Sequence, residues 1–470
     1  MTATEADAGV SAGEAAADRA FFGHPKGLPY LLGAEIGWAF AYFGLQNVLT
    51  LYMTQTLLKP GHAEHVLGLA AYRSMLQGLY GPLSSIGVAS QTFGMATGLI
   101  YALPILGGLL ADRWIGQRKA VTAGVLVLAV AFVLLIYEQT FLIALALMMM
   151  GAGLTKTSLI SQLGGLYAPG DDRRSRAFGL YLIALNVGSM VTPLVSGTLG
   201  ERLGWRYGFM TMAVGMALGA LCYVAGTRHM PPDRRSVRPA NGEAAGRVLR
   251  PGDGRVIAIL ALLMLADGIF GGVYNQAFDI FPVWAEAHVE RHISGFLAPV
   301  TWFNTLDGIM TIVGTALAVR VWAWQTGRSG KAKDVQRIAI GFAMTTVAFL
   351  LLAFSSGLGG GGKAPLAPEV GFFILVDFAI PWIDTVVLTL VSRDAPASIN
   401  TSMIGVYYLF VAAGNFLTGW LGGLSDRLSM PGFWLMHAAI AGALLLLLVL
   451  AGTRLDRGLT ASQTLKPVEA

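Results

Sequence analysis

Lys156 lies near the middle of an apolar stretch, Met148 to Gly165 (MMMGAGLTKTSLISQLGG). A lysine held in hydrocarbon costs about 2.5–3.5 kcal/mol on insertion scales, so it seldom sits there without a partner or a ligand. A snorkelling lysine stays within a turn or so of a helix end. This one is surrounded on its own helix by Thr155, Thr157, Ser158, Ser161 and Gln162. Such a group offers two kinds of chemistry, capture of an anion or proton-linked pairing with a carboxylate. The carboxylate available in the same half is Glu35, in LLGAEIGWAFAYFG (residues 31–44). Glu35 and Lys156 are the opposite charges inside that half, and a purely structural buried pair is the plain alternative. Five more acids interrupt apolar stretches: Asp267, Asp279, Asp307, Asp377 and Asp384. Asp377 and Asp384 are seven residues apart and share a helix face, as do Asp267 and Tyr274. Asp307 and Asp384 read as cavity residues. For Asp267, Asp279 and Asp377 a hydrogen-bonded buried acid is an equal reading.

The elements that position these groups follow from composition. Hydrophobic residues make up 55% of the chain and charged residues 13%, with mean hydropathy +0.62. A soluble chain carries about 25% charge, so this is an all-α integral membrane protein. At about 20 apolar residues per crossing, twelve helical spans are expected: 28–53, 84–111, 119–137, 140–164, 177–199, 206–226, 255–284, 296–322, 337–356, 369–391, 401–424 and 432–453. A polar linker, 227–254, separates a six-helix bundle at 21–226 from a second at 255–453. Residues 1–20 are acidic and Ala-rich, a disordered cytoplasmic tail rather than a signal peptide, and 454–470 form a second cytoplasmic tail. Most Lys and Arg fall in loops on the side of the termini, which places both termini in the cytoplasm of a cell inner membrane. The formal charge of +5 therefore reflects topology, not nucleic-acid binding.

Other classes drop away. One cysteine, Cys222, excludes a disulfide framework. The histidines are scattered, and His288 with His292 is a weak metal signal, so no metal and no cofactor beyond protons is expected. Gly359 to Gly362 reads as an outer loop without the Lys-Ser/Thr of a phosphate cradle. Nothing points to an enzyme. The two halves also repeat: Gly188/Gly414, Glu201-Arg202-Leu203/Asp426-Arg427-Leu428 and Gly208-Phe209/Gly432-Phe433 recur at an offset of about 225 residues. Duplicated six-span halves fit a carrier working by alternating access, with the solute near the midplane.

The segment GGLLADRWIGQRK (107–119) closing span two resembles the loop signature of the major facilitator superfamily. Gly107 and Gly108 permit close helix contact. Asp112, with Arg113 and Arg118 nearby, is suited to charge-assisted bonds that hold one gate state and break in the other. Phe22-Gly-His-Pro-Lys-Gly27, GAGLTKTSLISQLGGLY (151–167), Gly170-Asp-Asp-Arg-Arg174 and Tyr181 through Asn186-Val-Gly to Gly204-Trp-Arg-Tyr-Gly-Phe209 resemble the proton-dependent oligopeptide transporter family. The second half matches more thinly, at WFNTLDG (302–308), SRDAP (392–396) and GVYYLFVAAGNFLTG (405–419). The resemblance implies the major facilitator fold, with Lys156 as the span-four lysine of proton coupling and Asn186 as the span-five asparagine that contacts peptide.

The departures bear on substrate. The family's first helix carries Glu-x-x-Glu-Arg-Phe-x-Tyr-Tyr-Gly, where this chain has Glu35-Ile-Gly-Trp38-Ala39-Phe40-Ala-Tyr42-Phe43-Gly44. The second Glu and the Arg are lost. The span-seven Phe-Glu-Gln reads Tyr274-Asn275-Gln276, and the span-ten glutamate that binds the peptide amine falls near Ile380. Glu35 and Lys156 are expected to couple protons. Trp38, Tyr42, Lys156, Asn186, Tyr274, Asn275, Asp307 and Asp384 are expected to meet substrate, with Asp307 or Asp384 taking an amine. The expectation is a monomeric, proton-coupled carrier of short peptides or peptide-like solutes. The alternative is a facilitator or exporter of the same fold for a non-peptide, amine-containing amphiphile.

Overall fold

The computed structural model describes residues 19–168, 170–231, 252–329, 333–358, 363–396 and 398–463. Most of the N-terminal tail, linker residues 232–251, the loop at 359–362 and the last seven residues lie outside the described ones. Every apolar stretch becomes a helix: Leu28–Tyr52, Ser85–Leu110, Gln117–Leu134, Phe141–Gly165, Arg173–Thr192, Trp205–Gly226, Asp253–Tyr274, Phe303–Ser329, Asp334–Leu358, Leu366–Ile380, Asn400–Gly422 and Met430–Gln463. Among the described residues, eleven helical segments are long and apolar enough to cross a membrane. The first helix is 25 residues long but is not among them, because Glu35, Gln46 and Asn47 dilute its apolar content.

Three local features differ from the sequence reading. A 12-residue helix, Leu69–Tyr80, occupies the connection between spans one and two. Span eight is Phe303–Ser329 instead of 296–322: its start is delayed because His292–Ile293 and Phe296–Leu297 pair as a hairpin, and its end runs seven residues further. Ser294 and Gly295, both at positive φ, supply the two-residue turn that such a hairpin requires. The last helix runs to Gln463, ten residues past the expected end at 453. Its Asp456 accepts the Val335 N–H at 3.4 Å, so part of the expected tail is structured.

Spans five and ten share one device. Pro193 and Pro381 each open a wide, five-residue π-type turn, Pro193–Gly197 and Pro381–Thr385. Proline has no N–H to give and crowds the preceding turn, so the ladder widens there. The second of these turns carries Asp384.

The chain forms two compact units. The first comprises Met1–Gln46, Lys59–Ala71 and Leu99–Ala240, the second Asn47–Leu58, Tyr72–Gly98 and Asn241–Ala470. The end of span one and the start of span two thus pack with the second half of the chain rather than with their own. Within each unit the repeated glycine marks an equivalent contact. A Cβ on Gly188 would fall 2.7 Å from the Ala39 Cβ of span one, and one on Gly414 would collide with the Gly268 carbonyl of span seven. Span five lies on span one as span eleven lies on span seven. The core of the second unit is aromatic where Phe281, Phe303, Phe372 and Phe373 stack edge and face.

Candidate functional site

In the first unit, Glu35 is buried at 2% exposure and lies against the Tyr181 hydroxyl within the field of Lys156. Its Oε1 has no hydrogen-bond partner. Lys156 is half-buried, with its Nζ 5.5 Å from the centroid of the Tyr101 ring. No ion pair closes between Glu35 and Lys156 among the described residues. The expected pair is therefore an open one, with a tyrosine standing beside each charge: the Tyr181 hydroxyl can share a hydrogen bond with the carboxylate, and the Tyr101 ring face stabilises the ammonium. Ala39, where the resemblance expects arginine, is fully buried against Gly188.

Trp38 and Tyr42 lie one turn apart on span one. Both are buried and they stack on each other, centroids 5.1 Å apart and nearly parallel. Asn186 is half-buried and donates its amide to the Leu182 carbonyl one turn back, at 2.8 Å. In the loop after span two, Asp112 accepts from the Gln117 amide at 2.9 Å rather than from an arginine or a helix N-terminus. Arg118 reaches the carbonyls of Met230 and Pro231 beyond span six, at 2.6 and 3.1 Å. Arg113 is exposed, and a Cβ on Gly108 would meet Thr157 Oγ1 of span four at 3.0 Å.

Two stretches that carry the family resemblance meet at the end of this unit. The His24 ring bonds the Tyr167 hydroxyl at 2.8 Å. Arg173 donates to the Gly23 carbonyl at 2.9 Å and pairs with Asp171 at 2.7 Å. Those bonds hold the Asp171 carboxyl below its ordinary range, while burial and the arginines push the His24 ring down.

The second unit holds acids without bases. The Tyr274 hydroxyl donates to Asp307, and the Asp307 and Asp377 carboxyls lie within hydrogen-bonding reach of each other. Two turns along, Asp267 and Asp384 stand in the same relation, with the Tyr407 hydroxyl beside Asp267. No lysine, arginine or histidine pairs with these four acids among the described residues. Carboxylates only accept, so two in contact form a hydrogen bond when one carries a proton. Asp267 and Asp377, which the sequence left open between two readings, thus belong with the two acids it singled out. Asn275 instead sits in a helix contact, donating to the Gly271 carbonyl at 2.9 Å and to Asn415 at 3.3 Å.

Asp279 occupies a separate place in this unit. Fully buried, it accepts from Thr50 Oγ1 at 2.6 Å and from Ser90 Oγ, and Ser84 donates to Asp426 nearby in sequence to span eleven. A Cβ on Gly94 would fall 2.7 Å from the Gly419 nitrogen, so backbones touch here. Thr50 and Ser90 carry no mark in the sequence as partners of a buried acid, since hydroxyls inside apolar helices usually bond their own backbone.

His288 and His292 do not form a metal pair. His288 ends the helix Ile280–His288 and bonds the Trp284 carbonyl, while His292 lies in the hairpin beside Glu290. Among the described residues no group of His, Cys, Asp and Glu could hold a metal ion.

Comparison with known proteins extends this picture. A family model described as Major Facilitator Superfamily matches residues 39–419. The Yersinia enterocolitica protein called Peptide transporter YePEPT is 25% identical, over 95% of this chain and 98% of that one. A di-/tripeptide transporter of Lactococcus lactis is 22% identical over 83% of this chain and 88% of its own. A crystal structure of the peptide transporter POT in complex with sulfate superposes with TM-score 0.80 at 23% identity, covering 95% of this chain and 98% of that one. Another, of a mutant in complex with alafosfalin, gives 0.81 at the same identity and coverage. Twelve long apolar helices among the described residues, the signature loop after the second of them and the family match over most of the chain converge. The chain belongs to the major facilitator superfamily.

Proposed function

We propose that this protein is a proton-coupled symporter of short peptides or peptide-like solutes, in the oligopeptide branch of the superfamily. The observation that carries the reading is Lys156, retained at the middle of span four and held half-buried opposite a buried Glu35 with an unsatisfied oxygen. Near full-length relatives named as peptide transporters support it. With Glu35 protonated, Lys156 is free to take a peptide carboxylate; when Glu35 releases its proton, it competes for the ammonium and helps expel the solute. Two groups coupled through one field titrate jointly, so the proton belongs to the pair rather than to either residue. Protons are the only coupling species this scheme requires. The protein works as a monomer in a cell inner membrane, with both termini cytoplasmic.

A second reading draws on the enclosed Ala39 and the internally satisfied Asn275. These remove the base and acid that the resemblance would assign to a peptide's two ends. On that reading the chain moves a non-peptide, amine-containing solute, as a facilitator or exporter. Uptake of a mixed di- and tripeptide library into proteoliposomes, read by mass spectrometry with and without an inward proton gradient, separates the two. Accumulation only with the gradient supports the symporter. Equilibration without it indicates a facilitator, and no peptide uptake by folded protein rejects the peptide reading.

A further inference from the structure

The four acids of the second unit form two tiers. Asp307 with Asp377 and Tyr274 makes one; Asp267 with Asp384 and Tyr407 makes the other. The tiers repeat every seven residues on the two helices that contribute to both, Asp267 to Tyr274 on span seven and Asp377 to Asp384 on span ten. At 1.5 Å per residue that separation is about 10 Å. Each tier pairs a buried carboxyl, Asp377 or Asp267, with a partly exposed one, Asp307 or Asp384. Carboxyls in contact with no cation beside them share a proton, so each tier presents one negative charge.

Two observations outside the acids point to a ligand. Asn304, one turn before Asp307 on the same face of span eight, is buried at 3% exposure with neither its Oδ1 nor its Nδ2 partnered. A buried amide in that condition calls for an outside donor and acceptor. Gly271 lies between Asp267 and Tyr274 on their face of span seven, and a Cβ added there would meet nothing within 4 Å. Room is therefore left on span seven between the residues it gives to the two tiers.

We infer that the second unit binds a substrate with two cationic groups about 10 Å apart, one at each tier. A peptide whose basic side chain lies beyond its amino terminus has this form, as does a long diamine. The inference rests on the carrier reading above in naming a substrate class, but its binding chemistry is testable without transport. One negative charge per tier favours one ammonium per tier, and Asn304 is free to accept from one of them.

The test is the melting temperature of purified, detergent-solubilised protein with α,ω-diamines of graded length and a monoamine of matched carbon number. A diamine with ends about 10 Å apart should stabilise most, at concentrations about tenfold lower than the monoamine needs. Asp384→Asn and Asp307→Asn, which keep shape and remove charge, should each reduce the diamine to the monoamine's effect. Equal stabilisation by both amines, or a diamine preference indifferent to both variants, overturns the inference. Should either variant fail to fold, the length profile on the native protein and Asp377→Asn decide. In proteoliposomes the uptake ratio of Ala-Lys to Ala-Ala should exceed one and fall in both variants. Diamine stabilisation without any peptide uptake rejects the peptide reading and leaves the two-cation site standing.

Discussion

The two units handle buried charge in opposite ways. The first keeps one cation and one anion of the proposed site apart, each with a tyrosine beside it, Tyr101 at Lys156 and Tyr181 at Glu35. The second gathers four acids with no base beside them among the described residues, each pair of carboxyls in contact and joined by a tyrosine hydroxyl. An open pair of opposite charges is poised to exchange partners, because either charge gains by meeting a ligand or by meeting the other. Paired acids instead hold protons until a cation displaces them. On the proposed reading, coupling is the work of the first unit and amine recognition that of the second.

The sharpest way to break this comparison is to remove one member of the open pair. Lys156→Ala or Glu35→Gln should lower gradient-driven uptake by about a hundredfold, equivalent to about 2.7 kcal/mol in the barrier. Glu35→Gln should retain counterflow exchange, which needs no net proton movement; full driven uptake in both variants would sink the coupling assignment. Next in size is the Asp279 clamp, which needs no cation partner because two hydroxyls satisfy it. Asp279→Ala removes the acceptor of Thr50 and leaves Ser90 only the Gly419 carbonyl at 3.2 Å, and a loss of about 2 kcal/mol in detergent unfolding is expected. An unchanged melting temperature would show that the clamp is not formed.

Glycine gives a paired test inside the second unit. Gly94→Ala drives a Cβ onto the Gly419 backbone and should destabilise by about 1–3 kcal/mol through overpacking. Gly271→Ala meets open space and should be neutral or stabilising by up to about 1 kcal/mol, since it improves helix propensity. The opposite order in thermal unfolding would contradict the backbone contact.

The smallest expected effect lies at the surface. The Asp171 carboxyl is held below its ordinary value, 3.8, chiefly by its hydrogen bonds to Arg173. A depressed carboxylate stabilises above the unfolded value and loses that contribution as pH falls through the folded one. Asp171→Asn should therefore lower the melting temperature slightly at neutral pH, and the difference from the native protein should shrink as pH falls below 3.8. A difference that grows on acidification would mean the Arg173 contact is not what binds residues 23 and 171 together.

Much of this molecule is legible in its sequence, for reasons tied to the bilayer. Every backbone group inside hydrocarbon must be bonded within its own helix, so apolar length alone placed twelve helices to within a few residues for most ends. The end of span twelve and both ends of span eight escaped, since a helix extension and a hairpin turn depend on contacts such as Asp456 with Val335. The cost of charge in an apolar stretch likewise marked Glu35, Lys156, Asp307 and Asp384 without any structure. What sequence spacing does not carry is who meets whom. Trp38 and Tyr42 turned to each other, Asn275 to Asn415, and Asp112 to Gln117. Asp377 and Asp267 proved to be the partners of Asp307 and Asp384. Those choices are made between helices, where a few ångströms of approach, set by glycines such as Gly188 and Gly414, decide which side chains touch.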